Sequence, residues 1–308
     1  MWVSDDTDFT DGSMNDKTFT LTVNVYADGK VVNAPATKTL SQLILDSNQV
    51  IMKAPTLTTS SNNTSDASGL YKSTATNTGD PTYYFRGNVE NNFVSFAGQT
   101  WRIVRINEDG TIRIIMQDGI NDNTTYAFNS NYNSYTYMYY SNSDAKTTLE
   151  SWYQTNIESK SDLAKNVATG AYYCEQAKVA DDLSYIPDNV SMIERDNYTP
   201  NFKCVSDDDN KGMINTNIGL LTYDEVVYAG GGHADNEAYY LYNNKYFWTM
   251  SSAGFNNLYS RIWISYTQGY FSNSLPNNLY TLRPVLNLKL DTQISDGDGT
   301  KENPFVIQ

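Results

Sequence analysis

Apolar residues in this chain recur mostly with period two, and only three stretches switch to helical spacing. Residues 18–26, TFTLTVNVY, alternate cleanly and run into Asp28-Gly29, a pair suited to a tight hairpin turn, so residues 31–38 are expected to pair back. Residues 39–46 bring Leu40, Leu43 and Ile44 to one helix face, with Ser41 as the expected cap. Two short strands are predicted over 83–87 and 93–98. A hairpin follows, with 100–106 and 111–116 flanking Asn107-Glu108-Asp109-Gly110. Residues 146–157, KTTLESWYQTNI, carry Leu149, Trp152, Tyr153 and Ile157 on one stripe and predict an amphipathic helix. A second short helix starts at Thr222, with Glu225 three residues on completing a capping box, and stops at Gly230-Gly231-Gly232. Residues 304–307 are expected to form the last strand.

Residues 246–290 stand apart. Apolar runs, FWTM and LRPVLNLKL, bracket a segment rich in Tyr, Asn, Ser and Gly. Inside it, RIWIS alternates like a strand buried on one face. Ile262 and Ile264 are expected to point inward, leaving Tyr259, Arg261, Trp263 and Ser265 on the open side. Large aromatics beside small polar groups are the chemistry of a binding surface. The plainer reading is a wet, tyrosine-rich sheet face without a ligand.

Composition narrows the partners. The 308 residues are 40% hydrophobic and 18% charged, with 25 tyrosines, so uncharged polar groups cover much of the surface. A formal net charge of -14 argues against a nucleic-acid partner, which calls for a basic footprint. No apolar run is long enough to cross a bilayer, and no signal-peptide pattern opens the chain. The Asn/Thr/Ser/Tyr-rich composition suits the outside of a cell. The expectation is an extracellular, cell-surface protein whose targeting or anchoring segment has been removed, with membrane contact through that segment alone. Cys174 and Cys204 lack a CxxC pattern or a neighbouring His, which disfavours a metal or redox site. Two readings stand for them: a disulfide closing a long loop, stabilising by about 3–4 kcal/mol, or two buried thiols.

Residues 1–16 read as an acidic tether and 55–80 as a linker or strap. A boundary near residue 66 therefore separates a small β-rich N-terminal segment (1–65) from a main domain (66–308). Across that main domain, the segment YYFRGNVENNFVSFAGQTWRIVRINEDG (residues 83–110) is the most distinctive part. With it come the helix around Trp152, the run Thr222-Tyr223-Asp224-Glu225, and Trp248 followed by Leu282-Arg283-Pro284-Val285. Together they resemble a family of surface proteins of gut Firmicutes. That resemblance implies an α+β, C-type-lectin-like domain, the superfold shared by formylglycine-generating enzymes and by the variable proteins of diversity-generating retroelements. It also places the variable face of such proteins at residues 246–278. The ligand-binding set it implies is Trp248, Asn256, Asn257, Tyr259, Arg261, Trp263, Ser265, Tyr270, Ser272 and Asn273.

Catalytic chemistry finds little support. The chain's one histidine, His233, lies in a Gly-rich stretch, no GxSxG occurs, and no carboxylate pair is singled out. The cysteine pattern of the formylglycine-generating branch does not map onto Cys174 and Cys204. Asp207-Asp208-Asp209-Asn210 and Asp296-Gly297-Asp298-Gly299 offer oxygen ligands without the spacing of an EF-hand loop, and Leu275-Pro276-Asn277 keeps only part of a lectin calcium motif. The expectation is a non-enzymatic receptor or adhesin without cofactor or metal, binding a protein or glycan at the cell surface. The alternatives are a structural subunit of a surface appendage and a calcium-dependent lectin.

Overall fold

The computed structural model describes residues 25–27, 30–32, 38–57, 66–175, 200–204, 213–232, 234–255 and 258–307. The chain divides into two compact units, Met1–Lys38 and Thr39–Gln308. In the first, β1 (Val25–Ala27) and β2 (Lys30–Val32) pair antiparallel with Ala27 opposite Lys30, the register of a two-residue turn. Asp28 and Gly29, like the remainder of the strand expected over 18–26, lie outside the described residues.

The second unit begins well before residue 66. Its first element, α1 (Leu40–Ser47), buries Leu40 and Ile44 completely in the main core. The cap is Thr39 rather than Ser41: its hydroxyl accepts from the Gln42 amide, and the Gln42 side chain accepts from the Thr39 amide. Low apolar content over 55–80 suggests a boundary there, yet the helix before it is already part of the core.

Strands β3 (Val50–Ile51), β4 (Gly69–Ser73), β5 (Thr82–Arg86), β6 (Phe93–Phe96), β7 (Gln99–Ile106) and β8 (Ile112–Met116) start a large sheet. The β7–β8 turn is held by Asp109, whose carboxylate accepts from both the amide and the hydroxyl of Thr111. Then come β9 (Thr125–Ala127), α2 (Asp144–Tyr153), a π-helical turn over Gln154–Glu158, and the paired β10 (Tyr172–Cys174) and β11 (Met213–Asn215). The α2 stripe buries Leu149, Tyr153 and Ile157 and half-buries Trp152, as the spacing predicts. Helix α3 (Tyr223–Ala229) has the expected Thr222/Glu225 capping box and ends at Gly230 with φ 117°, a left-handed position suited to glycine.

A second, five-stranded sheet has the order β14 (Phe271–Ser274), β13 (Ser260–Ser265), β12 (Phe247–Phe255), β15 (Leu279–Thr281), β9. Finally β16 (Val285–Leu288), β17 (Ile294–Asp296) and β18 (Phe305–Ile307) return to the large sheet, β16 beside β8 and β18 beside β6. The fold is mixed α+β, with few short helices among several sheets.

Arginines tie these layers together. Arg86 on β5 pairs with Asp66 at 2.9 Å and donates to the carbonyls of Val227 and Tyr228 at the end of α3. Arg105 and Arg113, on neighbouring strands, both contact Glu225 of α3, at 3.3 and 2.6 Å. Burial alone would raise the Glu225 carboxyl; the charges of Arg113 and Arg105, with hydrogen bonds from Thr222 and Arg113, outweigh it and hold the group below its usual range.

Candidate ligand-binding face

Strand β13 sits between β12 and β14, with Trp248 opposite Ile264 and Trp263 opposite Asn273. The alternation predicts one buried and one open face. The structure closes both. Ile262 and Ile264 are fully buried, and Trp263 is only 2% exposed. The Trp263 face meets α3: the Tyr223 ring lies 4.6 Å from Trp263 and 5.7 Å from Phe271. The Ile264 face carries Trp248, whose indole donates to the Tyr126 carbonyl at 2.8 Å and packs against Phe128 and Tyr280. Trp248, Trp263 and Ser265, expected to meet a ligand, are therefore interior side chains. A helix covering the sheet from behind is a tertiary feature that period-two spacing cannot reveal.

What reaches the surface on the Ile264 side is a row of tyrosines. Tyr280 stacks on Tyr246 at 5.3 Å, Tyr246 meets Tyr266 edge-on at 5.0 Å, and Tyr266 stacks on Tyr270 at 4.4 Å. All are half-buried. Parity explains their common face: Tyr246 is two residues before Trp248 and Tyr266 two after Ile264. Tyr126, paired with Tyr280 across β9 and β15, carries the row to the sheet edge, where Asn121 donates to its hydroxyl at 2.7 Å.

Local structure fixes this row. The β13–β14 turn closes through Tyr266 N–H to the Tyr270 carbonyl and Gly269 N–H to the Tyr266 carbonyl. Gly269 has φ +79°, and a Cβ there would lie 1.9 Å from the Asn236 carbonyl oxygen, so only glycine fits. Tyr246 is tied to β15 by two hydrogen bonds from Thr281 to its carbonyl. Polar groups rim the rings: Ser274 meets the Tyr280 hydroxyl at 3.2 Å, and Ser272 bonds the Tyr266 side chain. Burial raises the phenols of Tyr266 and Tyr270 above their ordinary value. They stay protonated at neutral pH and can both donate and accept hydrogen bonds.

The remaining expected residues cluster at the opposite end of β13. Tyr259 is 38% exposed and packs on Tyr132 at 5.7 Å, beside the exposed Leu258. Arg261 donates to the Asn273 side-chain oxygen at 3.4 Å. Seven residues of extended chain, at about 3.3 Å each, put Tyr259 roughly 20 Å from Tyr266. The expected set is thus split between the two faces of the sheet, with Tyr270 and Ser272 on the Ile264 face and Tyr259, Arg261 and Asn273 on the Trp263 face. Asn256 and Asn257 lie outside the described residues. Tyr132 comes from the loop over 121–143, which folds back on this sheet: the Ser260 amide donates to the Tyr132 carbonyl at 2.7 Å, and the Ser260 hydroxyl bonds the Ser134 carbonyl. The two Tyr/Asn-rich stretches of the sequence therefore form one surface.

Elsewhere, Cys174 and Cys204 are joined in a disulfide, so the bridged reading of the pair holds. Asp296-Gly297-Asp298-Gly299 forms a turn. Asp298 accepts from the amide and hydroxyl of Thr300, and those bonds hold its carboxyl below its usual range. Asp207–Asn210 and His233 fall outside the described residues. Among the described residues no cluster of His, Cys, Asp and Glu is arranged to hold a metal, and no helix is long and apolar enough to cross a membrane. Compared with protein-family models, with curated proteins and with solved structures, the chain gives no match.

Proposed function

We propose that this chain is a non-catalytic binding protein of the C-type-lectin-like kind, displayed at the cell surface as a receptor or adhesin, and that its row of tyrosines engages a protein or glycan ligand. The observation that carries this reading is the unbroken contact chain Tyr280–Tyr246–Tyr266–Tyr270 at the surface of the five-stranded sheet. Four half-buried rings that support one another are already ordered before a ligand arrives, which lowers the entropic cost of binding. Ser272, Ser274 and the phenol hydroxyls supply the directional contacts around them.

Retroelement diversification is part of the same proposal, with its positions redrawn. Tyr259, Arg261, Tyr270, Ser272 and Asn273 reach solvent and have room to vary, whereas Trp248, Trp263 and Ser265 are buried. The test is an array of glycans and of host and bacterial proteins, probed with the full chain, with and without a chelator. A Tyr246→Ala/Tyr270→Ala variant should lose at least about 2 kcal/mol of binding, roughly thirtyfold, while remaining folded. Unchanged binding by that folded variant would remove the row from the site.

A further inference from the structure

We propose a second, separate site: a polar groove between α2 with its π-helical extension and the β11 end, which binds a neutral hexose or hexose disaccharide. Its volume is about 480 Å³, within the roughly 300–1,000 Å³ of small-molecule sites. One wall is formed by Glu150, Gln154 and Glu158, the other by Asn215 and Asn217, with the buried Tyr153 and Ile218 beneath.

Three observations point to this ligand class. First, the groove follows a backbone irregularity. Past Tyr153 the helix widens into a π turn in which the Ser159 amide reaches back to the Gln154 carbonyl at 3.0 Å. Such turns concentrate at functional sites, and no Pro or Gly lies in this stretch to force one. The π turn starts at Gln154 and ends at Glu158, and both are exposed.

Second, the charge is wrong for an anion. No Lys or Arg lines the groove, and Lys146 is already engaged by Glu150 at 2.5 Å. Third, the wall groups match a polyol. Carboxylates accept from hydroxyls, and carboxamides donate and accept side by side, which is what adjacent ring hydroxyls of a sugar present. Asn217 is held in place because its side-chain oxygen accepts from the Gly170 amide at 3.2 Å, leaving its NH₂ to donate. An apolar ligand would strip water from the Gln154 and Glu158 side chains and the Asn217 NH₂ without replacing those hydrogen bonds.

The full chain is titrated with glucose, galactose, N-acetylglucosamine, lactose and cellobiose, each up to about 20 mM, in the presence of EDTA, by saturation-transfer NMR and calorimetry. At least one saccharide should bind with Kd on the order of 1 mM. Gln154→Ala/Glu158→Ala should weaken it at least about tenfold without moving the melting temperature, because both side chains are exposed and hold no other element. The Tyr246→Ala/Tyr270→Ala variant should leave this binding unchanged, which separates the groove from the tyrosine row. The proposal is overturned if none of the five sugars binds the folded protein. It is overturned equally if binding survives the groove variant, is lost only with the row variant, or is outcompeted by spermidine as a simple cation.

Discussion

Replacing Trp263 by Ala tests which way the central strand faces. Trp263 is 2% exposed, and its ring lies against Tyr223 of α3 at 4.6 Å. Truncating a buried tryptophan removes its transfer free energy and leaves a cavity that the neighbours fill only in part, a loss of about 3–5 kcal/mol. At roughly 2–4 °C per kcal/mol for a unit of this size, the melting temperature should fall by about 6–20 °C. Tyr270→Ala is the internal control. It removes one stacked pair at a half-buried position, worth about 0.5–1.5 kcal/mol beyond area. Trp263→Phe, which keeps a ring against Tyr223, should recover much of the loss. Thermal melts followed by near-ultraviolet circular dichroism give all three values. If Trp263→Ala melts within about 2 °C of the parent while Tyr270→Ala falls further, the strand has been placed backwards.

Other perturbations reach the rest of the fold. Glu225→Gln should cost about 3–5 kcal/mol, read from urea midpoints, because it leaves the Arg105 and Arg113 guanidinium groups buried without their shared carboxylate. The Glu225 carboxyl titrates below its ordinary 4.5, so its contribution is complete above that pH and fades as pH falls through the lower folded-state value. The acid limb of the stability curve should accordingly flatten in Glu225→Gln. Cys174→Ser/Cys204→Ser should lose about 3.5 kcal/mol for a loop of 30 residues, measured against the oxidised parent in urea. Burial raises the phenols of Tyr140, Tyr173, Tyr239 and Tyr240, so their contribution is intact below pH 10.0 and is lost as pH climbs toward the folded values. The last part of the tyrosinate absorbance should therefore appear together with the loss of near-ultraviolet dichroism; ionisation of every tyrosine in a still-folded protein would contradict those burials.

Local signals in the sequence located most elements. The Asn107–Gly110 turn, the Thr222/Glu225 capping box and the Leu149–Ile157 stripe each act over a few residues and need no knowledge of distant partners. Three things depended on packing and were hidden. α1 belongs to the main unit because Leu40 and Ile44 find the core across some distance in sequence. β13 is buried on both sides because α3 lies against the Trp263 face. The tyrosine row is assembled from residues flanking or within four strands, and only parity relative to Trp248 and Ile264 hinted at its common side. Tyr246, Tyr266 and Tyr280 are not among the residues that the sequence singles out as a binding set.

Burial of both faces of β13 constrains how such a scaffold can be made to recognise anything. With Trp263 against α3 and Trp248 against Phe128, the middle of the sheet is committed to packing, and under the proposed function only the strand ends and the β14 edge are left to meet a ligand. The two ends differ in kind. At one, the tyrosines touch in sequence, so replacing any ring unsettles its neighbours, and their contributions to binding will not add. At the other, Tyr259 and Arg261 stand on exposed or half-exposed ground, and on the edge strand Ser272 and Asn273 do the same. There Arg261 and Asn273 are coupled through their hydrogen bond, and Tyr259 leans on Tyr132. Under the proposed function, Tyr246, Tyr266 and Tyr280 of the row would be the constant anchor, and the more exposed Tyr259 and Arg261 the adjustable part.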